Sequence, residues 1–312
     1  PLPPCPVHNM PDVLVFSALV PKILGAKVIL DLHDPMPELM MTIFGIPENS
    51  FAVRFMKQLE KFSIWFADAA VTVNLACKKI FSSRSCRGEK VHVVMNSPDE
   101  RIFKYHDAEG RTASPRSAAK PFVLMYHGSL VERHGLDLAV QAVGSLKQSI
   151  PGIELRVYGR STLFLEHVME SVRRDGLQDQ VTFLPERNLE QIVEAIDECD
   201  LGIIPNRRSI FTELNTPTRI FEYLSRGKPV VAPAAPGIQD YFPDNSLVFF
   251  NLGDASDLAK KIEYVFGNPA EVNAIVRRGQ GVYSAHRWAA ERAGFVDLVS
   301  RLVKGRRLAS VE

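Results

Sequence analysis

From Phe122 to the carboxyl end, short apolar runs alternate with longer segments whose apolar residues recur every three or four positions. Phe122–Tyr126, Val181–Leu184, Leu201–Pro205 and Ser246–Phe250 read as strands, and Ile153–Tyr158 alternates as a strand does. Leu136–Ser149 places Leu136, Val140, Val143 and Leu146 on one helical side. Leu165–Arg174 is helical, and Leu189–Ile196 turns Leu189, Ile192, Val193 and Ile196 inward. Ala255–Phe266, Ala270–Gln280 and Trp288–Val303 complete the helices. Strands alternating with helices predict a doubly wound parallel sheet.

The first part of the chain is sparser. Val13–Phe16 reads as a strand or the start of a helix, Ala18–Leu24 as a helix stopped at Gly25, and Lys27–Leu30 as a strand. Phe51–Phe66 has helical periodicity through Phe51, Phe55, Leu59, Phe62 and Phe66. Ala70–Val73 and Val91–Met95 are strands around a short helix at Leu75–Ser82, and Asn96–Asp99 is a turn. The expected fold is α/β with two Rossmann-like domains: residues 1–107, a linker at 108–120, a second domain at 121–282 and a returning helix at 283–312. Three or four strand–helix units are few for the first domain, so it is expected to be incomplete.

Asn215–Pro233 concentrates the candidate chemistry. Pro217 suits the first position of a helix, where its missing N–H is not needed, and Thr216 can cap it. Gly227 is placed to stop that helix. Arg219 and Glu222 are three residues apart and share a face. A helix start with a cation in its first turn and a carboxylate beside it suits a phosphate and a hydroxylated ring. The same spacing also describes an ordinary surface ion pair.

Composition narrows the picture. The chain has 312 residues, a net charge of +1 and four scattered cysteines. The charge argues against a nucleic-acid binder, and the cysteines lack metal or redox spacing. No apolar run approaches the ~20 residues that span a bilayer. The reading is of a cytoplasmic protein with at most peripheral membrane contact, through a tail at Lys304–Arg307.

The stretch Asn-Thr-Pro-Thr-Arg-Ile-Phe-Glu-Tyr-Leu, followed by Gly-Lys-Pro-Val-Val-Ala, resembles the donor site of the glycosyl transferases group 1 family. These are retaining, metal-independent enzymes of the GT-B fold. The resemblance implies that Thr218 and Arg219 meet the diphosphate of a nucleotide sugar and that Glu222 binds its ribose. In His127–Asp137, the family's Gly-Arg-Leu…Lys-Gly loop is altered: Ser129 replaces the arginine and His134 the lysine. Gly128 and the shifted Arg133 are therefore the candidates there. Arg207, just after a strand, is a further phosphate candidate.

His33, in Asp31-Leu32-His33-Asp34, resembles the family's cleft histidine, so His33, Arg133 and Arg219 form the catalytic expectation. Trp288 is expected to anchor the last helix by packing. No metal and no cofactor is expected; the implied partners are a nucleotide-diphosphate sugar and a glycan or lipid-linked acceptor. Two rivals share the pattern: a nucleotide-sugar epimerase, and a non-catalytic binding remnant. The family's first strands and glycine-rich loop find no match here, which makes a truncated chain the expectation.

Overall fold

The computed structural model describes residues 3–108 and 120–304. The chain divides into two compact units, one of residues 1–97, 209–216 and 288–312, the other of residues 98–208 and 217–287. The expected linker at 108–120 lies, apart from its two end residues, outside the described residues, as do residues 305–307 of the basic tail.

The first unit holds β1 (Cys5–His8), α1 (Leu19–Ile23), β2 (Val28–Leu32), α2 (Met36–Phe44), α3 (Phe51–Phe66), β3 (Ala69–Thr72), α4 (Leu75–Arg84) and β4 (Val91–Val93). Its four strands form one parallel sheet in the order β1-β2-β3-β4. Val13–Phe16 is neither a strand nor an α-helix: a 3-10 helix spans Asp12–Ala18. Neither β1 nor α2 is anticipated from the sequence. Cys5-Pro6-Val7-His8 is too short and proline-interrupted to stand out, and β1 runs at the sheet edge, where a proline is tolerated. The helix α3 starts where Ser50 accepts a hydrogen bond from the Val53 N–H, and α4 where Asn74 accepts one from Cys77.

One face of this sheet packs Val15, Ile64, Phe81 and Cys77 against Val28, Leu30 and Leu32. Beneath that layer the Arg84 guanidinium bridges two buried carboxylates, Glu38 at 2.6 Å and Glu60 at 2.5 Å. Asp12 is buried near the same pair, and burial, then the Glu60 charge, raise its carboxyl to about 6. An acid whose folded pKa is raised stabilises the fold below its ordinary range and loses that contribution as pH rises through 6. Asp12→Asn is therefore expected to stabilise the protein at neutral pH, on the order of 2 kcal/mol. Urea unfolding of the two proteins at pH 4 and pH 7.5 checks it, with the gain confined to the higher pH.

The second unit holds β5 (Phe122–His127), α5 (Leu136–Leu146), β6 (Ile153–Gly159), α6 (Leu163–Arg174), β7 (Val181–Pro185), α7 (Leu189–Glu198) and β8 (Leu201–Ile203). The next helix, α8 (Ile210–Leu214), belongs to the first unit, where it packs on α2. The second unit resumes with α9 (Arg219–Ser225), β9 (Val230–Ala234), α10 (Pro236–Gln239), β10 (Val248–Asn251), α11 (Ala255–Gly267) and α12 (Pro269–Ala285). Its six parallel strands are ordered β10-β9-β8-β5-β6-β7. The order reverses between β5 and β8, and ligands of open α/β sheets bind outside the strand ends at such a switch point.

Two sequence expectations about packing change. The last helix, α13 (Trp288–Lys304), covers the other face of the first sheet, but through Leu298, Phe295, Val299 and Leu302. Trp288 is 46% exposed and is not the anchor. Leu189, read as inward, is also exposed, whereas Ile192 and Ile196 are buried as expected.

Candidate functional site

Strand β5 is buried along its whole length and delivers His127 and Gly128 at its carboxyl end. Gly128 takes φ of 116°, a conformation in which a side chain is strained. A Cβ there would meet the Arg219 side chain at 3.5 Å. Across the switch point stands α9. It begins at Arg219, two residues later than the sequence suggests: Thr218 is the N-cap in helical geometry and makes no side-chain capping bond. The Thr216 hydroxyl accepts from Asn74 within the first unit. The end of α9 is as expected, with Gly227 at φ of 65° and the Leu224 carbonyl accepting from the Gln280 amide at 2.9 Å.

Three side chains of α9 converge on the end of β5. The Arg219 guanidinium donates to the His127 carbonyl at 2.7 Å and lies 4.7 Å from the Tyr126 ring centre. Tyr223 is fully buried and donates its hydroxyl to the Met125 carbonyl at 2.8 Å. That leaves the tyrosine oxygen to accept from His127 Nδ1 at 2.9 Å. His127 Nε2 then faces the Glu222 carboxylate at 2.5 Å, a contact that requires a proton between them. The half-buried Glu222 is thus held by one oxygen in a chain that runs Glu222–His127–Tyr223–Met125. His127 is a functional candidate that the sequence reading did not single out.

Gly202 makes this possible from the neighbouring strand. A Cβ at Gly202 would sit 2.4 Å from the Tyr223 ring. Gly159 does the same on the other side, where a Cβ would meet the Gly128 carbonyl at 2.5 Å.

The loop after β5 carries Arg133 and His134 on a short 3-10 turn that ends at Gly135, φ 67°. Among the described residues the buried Arg133 Nε has no hydrogen-bond partner. His134 donates through Nδ1 to the Ser129 carbonyl at 2.9 Å. Burial first, then the Arg219 charge, push the His134 imidazole down to about 4. A group with a depressed folded pKa keeps its contribution above its ordinary range and loses it as pH falls toward 4. His134→Gln is expected to flatten the loss of stability between pH 6.5 and 4, read by thermal unfolding across that range.

Arg207, the further phosphate candidate, follows β8 in the chain. Its guanidinium is ion-paired with Asp137 in the first turn of α5, and its backbone N–H bonds to the Arg133 carbonyl. It braces the loop that presents Arg133.

Beside Gly128 lies a pocket of about 570 Å³ at the carboxyl ends of β5, β6 and β7, walled by Tyr158, Gly159, Arg187 and Leu189 among others. The Arg187 guanidinium lies 5.3 Å from the Tyr158 ring centre. The exposed Leu189 is one of its walls.

His33 belongs to the first unit. Register pairs His8 of β1 with Asp31 of β2, and His33 follows two residues on. One Asp31 oxygen receives His8 Nδ1 at 2.9 Å and His33 Nε2 at 3.2 Å. The hydrogen bond to Asp31 holds the His33 imidazole above its ordinary range. Three donor atoms of His8, Asp31 and His33 lie within 4.8 Å of one another, close enough to hold a metal ion. The sequence showed no such ligand set, because parallel pairing brings in His8 from 23 residues away.

Two α/β units, each with a parallel sheet and Rossmann-like connections, are the architecture of the GT-B class. The sequence profile of the glycosyl transferases group 1 matches residues 109–282. The chain belongs to that family. A curated relative, the D-inositol 3-phosphate glycosyltransferase of Segniliparus rotundus, is 23% identical over 225 residues. The match covers 71% of this chain and 49% of the relative, so the chain spans about half the length of that protein. Among solved structures, HepE of Anabaena in complex with UDP aligns with a TM-score of 0.75 at 18% identity, covering 95% of this chain and 78% of HepE. Sucrose-phosphate synthase of Thermosynechococcus elongatus aligns with a TM-score of 0.75 at 18% identity, covering 96% and 74%.

Proposed function

We propose that the second unit binds the nucleotide diphosphate of an activated sugar, and that the protein transfers the sugar, with retention, to a glycan or lipid-linked acceptor. The observation that carries this reading is the meeting of Arg219, Glu222 and Gly128 at the switch point of the second sheet. Family membership and the UDP held by HepE support a nucleotide-sugar donor.

In this reading the diphosphate approaches the Gly128 backbone, where no side chain stands in the way. Arg219 and Arg133 stabilise the negative charge that grows on the leaving diphosphate. Glu222 orients the ribose through its hydroxyls, held in place by His127. Thr218 offers its hydroxyl at the start of α9, and Arg207 acts through Asp137 as a brace rather than as a ligand. The nucleoside base takes the pocket beside Tyr158 and Arg187. His33 is assigned the catalytic contact with the sugar on the family resemblance alone. The protein works in the cytoplasm in this reading, at residues 1–107 and 283–312 for the acceptor side and 121–282 for the donor side.

Arg219→Ala is expected to weaken UDP binding by about 1.5–3 kcal/mol, the usual loss of a charged hydrogen bond. Calorimetry with UDP, and with GDP for comparison, measures it. Unchanged affinity would remove α9 from the donor site and the proposal with it.

A further inference from the structure

Helix α3 turns an aromatic stripe outward. Positions 51, 54, 55, 58, 61, 62 and 65 follow helical spacing, and all seven are exposed. Phe51 is 78% exposed, Phe55 52%, Phe62 57% and Trp65 73%. The Phe51 and Phe55 rings stack, with centroids 6.1 Å apart. The buried side of the helix is instead Val53, Glu60, Ser63 and Ile64.

The periodicity read from the sequence is therefore real, but most of it faces solvent. Contiguous exposed apolar surface of this kind marks a place where something docks.

The charges on the stripe decide what. Between the aromatics stand Arg54, Gln58 and Lys61, and no carboxylate. Glu60, the helix's one acid, is buried on the opposite side and paired with Arg84. Glu48, just before the helix, is paired with Lys57.

A second copy of this chain, meeting the stripe face to face, would press Arg54 and Lys61 against the same cations with no acid to pair them. A bilayer surface has no such conflict. Aromatic rings settle at the headgroup level, and cations beside them gain from the negative surface potential of anionic lipid. A helix with an aromatic and basic outer face lies in the plane of that interface. Among the described residues no helix is long and apolar enough to cross a membrane.

We propose that α3 docks the first unit on the surface of an anionic phospholipid bilayer. This goes beyond the donor-site reading and shares no residue with it.

The test is flotation of the full chain with vesicles of phosphatidylcholine, with and without phosphatidylglycerol. Binding is expected only with phosphatidylglycerol, and weaker at high salt. Arg54→Gln with Lys61→Gln is expected to lower partition about 30-fold, roughly fivefold per cation. Phe62→Ser with Trp65→Ser is expected to abolish it. Both pairs lie on the exposed side, so circular dichroism and UDP titration should match the wild type. No binding to either vesicle, or binding that survives the Phe62–Trp65 pair, would overturn the proposal. So would a dimer in light scattering that the Trp65 change dissolves without any vesicle binding, since the stripe would then serve a second copy. Failure of UDP binding in the wild type would sink the donor-site reading and leave the flotation result standing.

Discussion

Glu222→Ala is expected to weaken binding of a nucleotide-diphosphate sugar by about 1–3 kcal/mol, the cost of losing charged hydrogen bonds. The effect has two sources. The alanine offers nothing to the ribose, and it strips His127 of the carboxylate at Nε2. His127→Ala should reproduce part of the loss, because Glu222 then swings without its brace. The two changes touch one hydrogen-bonded chain, so their effects should not add. A double-mutant cycle by calorimetry is expected to give a coupling of about 0.5–3 kcal/mol. Additive effects would separate Glu222 from His127, and unaltered binding in Glu222→Ala would remove the carboxylate from the site.

Gly202→Ala is expected to destabilise the second unit by about 1–3 kcal/mol, as overpacking of a filled core does. The added methyl would stand 2.4 Å from the Tyr223 ring, which is buried and tied by its hydroxyl to the Met125 carbonyl. The ring cannot yield without releasing that bond and the one to His127 Nδ1. The variant should therefore lose nucleotide affinity as well as stability. Gly281→Ala is the control: it lies within α12 and a Cβ there meets nothing within 4 Å. That change should stabilise by roughly 0.5–1 kcal/mol, through the lower entropy cost of alanine in a helix. Urea unfolding of both variants measures the contrast. A neutral Gly202→Ala would mean that Tyr223 is free to move and does not fix His127.

The second unit was legible because its elements are long, regular and buried in a regular way. Leu136, Val140, Val143 and Leu146 are all buried on α5, as their spacing requires. The first unit was harder. Its edge strand β1 is four residues with a proline, and α2 opens through Pro35-Met36-Pro37, which reads locally as a break. The spacing of phenylalanines found α3 but not its orientation. Periodicity reports that apolar residues share a side, and nothing in it says whether that side meets the core. Here Glu60 takes the inside because Arg84 and Ser85 satisfy it there.

At the site, the local sequence determined the placement of Arg219 and Glu222 on one short helix, the stop at Gly227 and the glycine after β5. Those follow from residue type and from spacing within a few positions. What only the tertiary structure decided spans long separations: His127 beside Glu222, 95 residues apart, Tyr223 laid across Gly202, and Arg207 drawn to Asp137. The register of the parallel strands decided also that His8, Asp31 and His33 share one carboxylate oxygen. Side-chain partners of this kind are set by which strands lie next to one another, and a parallel sheet joins its neighbours through crossovers that no local pattern records.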